Sequence, residues 1–358
     1  MSKRKYANLD AIRGIAAILI FFRHAPVLFI SPQFAQSYLA VDLFFTMSGF
    51  VVANAYEERL LSGALSFWSF LKLRLIRLFP LYLLGALVGI FEHFVLEAAS
   101  DHENLRSAIG TASFALLPLL MLPSRAKPLY PVNNPAWSLF YEIIANSVYA
   151  KAVKNRSIGC WVAAISISAV VITLYSVTHN GIDAGWNLSV WYVALGRVTF
   201  SFSIGILLYR ARVSARRESA ARSVLTLTAV ILLLCVQVPV GWAGIVTAVE
   251  VILVVPSVVY LATSFEPPSF IAPAFEQLGR ISYGLYIIHV PVLLTIAKLP
   301  INAGHVHGAV ALLIFLAAML VFVSILDRYY DEPARRVLSN LLAGLKNRTT
   351  RTGLSSGT

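Results

Sequence analysis

The chain has 358 residues, 58% of them hydrophobic and only 13% charged, against about 25% charged in a soluble domain. Long apolar runs recur from end to end, which excludes a soluble globular protein and leaves no soluble domain of useful size. The formal net charge of +12 sits in short links between those runs, where it orients a membrane protein, so nucleic acid is excluded as the partner.

The expected fold class is therefore all-α, a polytopic integral membrane helical bundle. Met1 to Asn8 is short and basic (Lys3, Arg4, Lys5), which predicts a cytoplasmic amino end. The first apolar run is too long for a cleavable signal peptide and lacks a small-residue cleavage site, so it is expected to stay. The predicted spans are about 9–30, 38–56, 79–97, 136–153, 158–177, 190–209, 223–240, 244–263, 280–298 and 307–327. Residues 57–78 mix Arg59, Lys72, Arg74 and Arg77 with Phe67, Trp68 and Phe70, the pattern of a basic amphipathic helix on the cytoplasmic face.

The stretch 107–134 is apolar but short and broken by Pro118 and Pro123. Were it to cross, Lys151, Lys154 and Arg156 would fall outside; were it to dip and return, every basic link falls inside. The Lys/Arg bias thus selects about ten spans with both termini cytoplasmic and 107–134 re-entrant or non-spanning. The predicted organisation is a transmembrane domain over 1–335 and a basic polar cytoplasmic tail over 336–358, of which 345–358 reads as disordered.

Few ionisable residues lie inside the spans, and in lipid each is a functional candidate. His24 follows Arg13 by 11 residues, close to three helical turns, so both lie on nearly one face about 16 Å apart along the axis. Asp42 opens the second span and Glu142 lies inside a later one, at the depth of His24. Arg13, Arg74, Arg77 and Arg197 read as belonging to the cytoplasmic half, with His289 in the ninth span. A His beside a carboxylate in a dry site is a natural general base, and grouped Arg suits phosphates. The bland readings are positive-inside anchoring for Arg74 and Arg77 and a helix cap for Asp42. Asn146 and Ser138 read as interhelical hydrogen bonders, Glu92 with His93 as a solvated helix end. Glu250 is a buried carboxylate with no obvious partner. Cys160 and Cys235 are isolated, and no metal site, P-loop or GxSxG elbow is found.

These blocks together resemble acyltransferase family 3, integral membrane proteins that include bacterial O-acetyltransferases of lipopolysaccharide and exopolysaccharide. The opening LDAIRGIAAILIFFRH looks like the family's Arg-x10-His signature, through Arg13 and His24. VDLFFTMSGFVVA resembles its second segment, and RLIRLFPLY carries the Arg-x2-Arg pair as Arg74 and Arg77. PAWSLFYE matches the block of Trp137, Ser138 and Glu142; Arg197 leads another; LGRISYGLYIIHVPV supplies Ser282, Tyr283, Tyr286, His289 and Pro291. DEPARR is similar to the closing Glu-x-Pro element, but Glu332 and Pro333 are adjacent here.

The resemblance implies transfer of an acyl group, usually acetyl, from cytoplasmic acyl-CoA to a hydroxyl of a cell-envelope or exported carbohydrate, in the bacterial inner membrane. It implies His24 as base or relay with Glu142 or Asp42 as partner. Arg13, Arg74, Arg77 and Arg197 would bind the donor, with Trp137, Ser138, Ser282, Tyr283 and His289 in support. Acyl-CoA is a co-substrate, no resident cofactor is expected, and no motif for an oligomeric state is recognised. The alternatives are a proton-coupled transporter or flippase of an envelope glycan precursor, which the same polar path fits, and a non-catalytic assembly factor.

Overall fold

The computed structural model of the chain describes residues 6–25, 34, 36–93, 116–154, 158–212, 217–298 and 309–342. Ten long helices run through them. They are α1 (Ala7–His24), α2 (Ala40–Leu61), α3 (Phe67–Phe91), α4 (Trp137–Ala152) and α5 (Ile158–His179). Then come α6 (Trp191–Arg210), α7 (Ala220–Cys235), α8 (Val240–Ser264, with a π turn at Glu250–Val254), α9 (Ala272–Lys298) and α10. Helix α10 starts as Ala309–Leu326, passes a π turn at Asp327–Asp331 and runs to 342, through the expected domain boundary near 335. Residues 343–358, which hold the expected disordered tail, lie outside the described residues.

Seven of these, α2, α3, α5, α6, α8, α9 and α10, are long and apolar enough to cross a membrane. Helix α1 has 18 residues, and α4 and α7 have 16 each. The chain is an integral membrane protein of the all-α polytopic class. Val162, Ile167, Val170 and Leu174 on α5, and Leu313, Ile314 and Val321 on α10, are exposed apolar side chains, as lipid contact requires. Helix α9 is instead walled in, with Leu285, Ile287 and His289 fully buried.

The bundle is held by close approach of backbones, because apolar burial gives no drive between helices already in lipid. At Gly49 of α2 a Cβ would overlap the Phe202 carbonyl of α6, and at Gly205 of α6 one would overlap the Thr46 carbonyl of α2. A two-residue parallel pairing of β1 (Arg217–Glu218) with β2 (Phe265–Glu266) closes the end near the amino terminus, where Asn8 donates to the Phe265 carbonyl at 2.9 Å.

Three expectations are corrected. No separate amphipathic helix occupies 57–78: α2 continues to Leu61, Gly63 turns the chain at φ 77°, and α3 starts at Phe67 behind its cap Ser66. The reason is that Arg74 points inward to a carboxylate rather than outward to headgroups. Glu92 is buried and pairs with Lys298 at 2.7 Å rather than being solvated. Asn146 donates to the Glu142 carbonyl of its own helix, not across helices.

In the described part of the proline-broken stretch, residues 116–119 are helical and residues 120–133 form a loop. Tyr82 donates to the Pro118 carbonyl, Tyr130 to Met121 at 2.9 Å, and Asn133 to the Ile287 carbonyl of α9 at 2.9 Å. Residues 107–115 lie outside the described residues.

Candidate active site

Helix α9 sets the site. Ser282, Tyr286 and His289 follow at four and three residues, so they form one stripe facing α1 and α4. Two cavities open along this stripe, and Val41 and Tyr286 line both.

The first cavity, of about 140 Å³, lies at the basic end of the bundle. Arg13, Arg74, Arg77, Glu142 and Ser282 line it, over an apolar wall that includes Phe44 and Met47. Arg74 donates to Glu142 Oε1 at 2.8 Å, and Ser48 donates to the same oxygen at 2.6 Å. Arg13 has only a long 3.8 Å approach to Asp10. Arg77 makes no hydrogen bond or ion pair among the described residues and also lines a third cavity of about 700 Å³, with Tyr283, Arg280, Asp331, Glu332 and Arg336. Tyr283 donates to the Leu78 carbonyl at 2.5 Å, fixing α9 to α3 beside Arg77.

The second cavity, of about 460 Å³, lies at the opposite end. His24 lines it at the last turn of α1, so the Arg13–His24 stripe links one cavity to the other. The expected carboxylate partner of His24 is not there, because an arginine holds each candidate: Arg74 takes Glu142 and Arg197 takes Asp42. The neighbour of His24 is His289, whose Nε2 lies 3.1 Å from His24 Nδ1.

The proton positions follow from the network. His289 Nδ1 sits 2.9 Å from the Leu285 carbonyl, so it carries the hydrogen and Nε2 is an acceptor. His24 Nδ1 faces that acceptor and the Ile20 carbonyl at 3.0 Å, so it carries a hydrogen too. The lone pair of His24 therefore sits on Nε2, the one nitrogen of the pair with no protein partner among the described residues.

Arg197 is also corrected. It lies two turns into α6 from Trp191, so it lines the second cavity and not the basic one. Its Nε and Nη2 grip Asp42 Oδ1 and Oδ2 at 3.1 and 2.6 Å, and Nη1 donates to the Ala184 carbonyl at 2.8 Å. Arg197 and Asp42 are 1% and 0% exposed, which marks a structural clamp. The Trp137 ring stands over its guanidinium at 5.6 Å. Ser138 bonds Tyr286 at 2.7 Å, so it does join two helices.

Sequence reasoning missed Arg23, Tyr38, Asn134, Asp183 and Trp186, which line the second cavity. Arg23, next to His24, and Tyr38, at the start of the second predicted span, carried a local signal; Asn134, Asp183 and Trp186 come from stretches outside the predicted spans.

A family profile described as an acyltransferase domain matches residues 6–328. The chain is also similar to protein 2 in picA locus of Rhizobium radiobacter, 41% identical over 179 residues, which cover 47% of this chain and 93% of that one. No solved structure matches at a significant level. The carrier and assembly-factor readings are thereby set aside: the chain belongs to acyltransferase family 3 and is a membrane acyltransferase.

Proposed function

We propose that this acyltransferase moves an acetyl group from acyl-CoA, held at the basic cavity, to a hydroxyl of a carbohydrate held at the opposite cavity, with His24 as general base. The observation that carries the reading is the pair of cavities meeting at Tyr286, with arginines on one side and the free His24 Nε2 on the other. All ten helices cross the bilayer in this reading, and the basic end faces the cytoplasm of a bacterial inner membrane, with both termini there. Arg13 and Arg77, the least paired of the basic groups, hold donor phosphates by charge-assisted hydrogen bonds. Arg74, buttressed by Glu142 and Ser48, keeps the cavity wall in place.

The apolar wall then admits the thioester arm as far as Tyr286. His24 Nε2 takes the proton of the acceptor hydroxyl, and the oxygen forms a bond to the thioester carbonyl carbon. The carbon–sulfur bond breaks, and the proton passes from His24 to the departing thiolate, giving an ester and a free thiol. His289 holds the His24 ring in the tautomer that leaves Nε2 open.

The test uses the protein in sealed proteoliposomes. Labelled acetyl-CoA supplied to the face bearing residue 154, with a glycoside on the other face, should give labelled ester. Failure to form ester with any sugar hydroxyl, with donor present on both faces, would refute the proposal.

A further inference from the structure

Val41 and Tyr286 line both cavities, so these two side chains mark where the first ends and the second begins. Along α2 the lining of the first cavity runs from Val52 to Val41, 11 residues or about 16 Å of helix axis. Its deep end is a floor of uncharged side chains: Val41 and Phe44 of α2, Ser138 of α4 and Tyr286 of α9. On α9 that floor lies about one helical turn before His289, the residue that holds the His24 ring.

Tyr286 is the stiff member of the floor. Its side chain is buried, and its hydroxyl donates to the Pro135 carbonyl at 3.0 Å and shares a 2.7 Å hydrogen bond with Ser138. Phe44 meets its ring edge to face, with the centroids 5.4 Å apart. A swing of the ring would leave those hydrogen bonds and that aromatic contact unmade, so the wall resists a bulkier neighbour.

This placement bears on the acyl group. On the reading above, the thioester arm enters from the basic end and reacts beside His24, so its carbonyl carbon comes to the level of the floor. Whatever lies beyond the carbonyl has to fit against Val41, Phe44 and Tyr286. A methyl group asks least of that space. Each further methylene pushes into side chains already in contact, and packed interiors resist such insertion.

We infer that Tyr286, backed by Phe44 and Val41, is an acyl-length stop that admits acetyl and excludes butyryl and longer chains. Tyr286 is thus a specificity residue and not a catalytic one.

The test measures kcat/KM for acetyl-, propionyl-, butyryl- and hexanoyl-CoA with the purified full chain, a mixture of methyl hexopyranosides serving as acceptor. One methylene in a hydrophobic pocket is worth about 10–200-fold in kcat/KM. Propionyl-CoA should therefore fall at least about tenfold below acetyl-CoA, and butyryl-CoA further. Tyr286→Ala should raise the butyryl-to-acetyl ratio at least about tenfold, and Val41→Ala, the milder change, should raise the propionyl-to-acetyl ratio. Tyr286→Phe, which keeps the ring, should keep most of the parental preference. General damage to the site would lower all donors together and leave the ratios where they were. Parental transfer of butyryl as fast as acetyl, or unchanged ratios in Val41→Ala and in any folded Tyr286→Ala, would overturn the inference while leaving acyl transfer intact. No transfer from any of these donors would overturn both it and the proposed function.

Discussion

The Asp42–Arg197 pair gives a prediction with a built-in control. Asp42→Asn keeps the shape of the side chain and removes its charge. It leaves the Arg197 guanidinium, 1% exposed, with one neutral acceptor in place of a carboxylate gripped at 2.6 and 3.1 Å. Breaking a buried ion pair by removing one partner costs about 3–5 kcal/mol. That is between two and nearly four powers of ten in the folding equilibrium, at about 1.4 kcal/mol per tenfold. The control is Asp183→Asn, which breaks an Arg–Asp pair of almost the same length, 2.5 Å, at a rim where the partners are 29% and 50% exposed. Exposed pairs contribute about 0–1 kcal/mol. Unfolding of both variants in mixed micelles, followed by tryptophan fluorescence, separates them. The expected result is a large loss for Asp42→Asn and almost none for Asp183→Asn. Equal, small losses would refute the view that Arg197 is a buried clamp and would restore it as a candidate donor ligand.

Other outcomes follow from the same geometry. His289→Leu should lower kcat about tenfold to a hundredfold while both KM values stay within a factor of about two, since His289 acts through His24 and touches neither substrate; a changed donor KM would contradict this. Arg77→Ala should raise the acetyl-CoA KM by at least about tenfold, the worth of a charge-assisted hydrogen bond, with kcat little changed. An unchanged KM would assign Arg77 to membrane anchoring. In a background lacking Cys160 and Cys235, a cysteine at 180 should react with an impermeant thiol reagent in intact cells and one at 154 should not. Labelling at 154 would reverse the threading.

The sequence carried the parts of this architecture that depend on short-range periodicity. The 11-residue spacing from Arg13 to His24 put both on one face, and each does line a cavity. The proline-broken stretch read as non-spanning; of its described residues, 120–133 form a loop that Asn133 ties to α9, and the Pro118 carbonyl accepts from Tyr82 of α3. Depth and pairing were not legible. Arg197 looked cytoplasmic, yet its level is fixed by where α6 starts, at Trp191. The base looked carboxylate-assisted because Glu142 and Asp42 read as sharing its depth, but Glu142 lines the basic cavity beside Arg74, and Arg197 takes Asp42. The partner of His24 lies 265 residues away on α9, and only packing of α1 against α9 brings the rings together. The inward turn of Arg74 was hidden by its neighbours Trp68, Phe70 and Lys72, which read as an interfacial stripe.

One imidazole, that of His24, carries the proposed proton transfer. Purified protein should esterify a neutral glycoside from labelled acetyl-CoA, and His24→Ala should lower that rate by at least about a hundredfold while donor affinity in calorimetry stays at the parental value. A folded His24→Ala protein that turns over at the parental rate would show that the proton leaves the acceptor by another route, and His24 would lose its role.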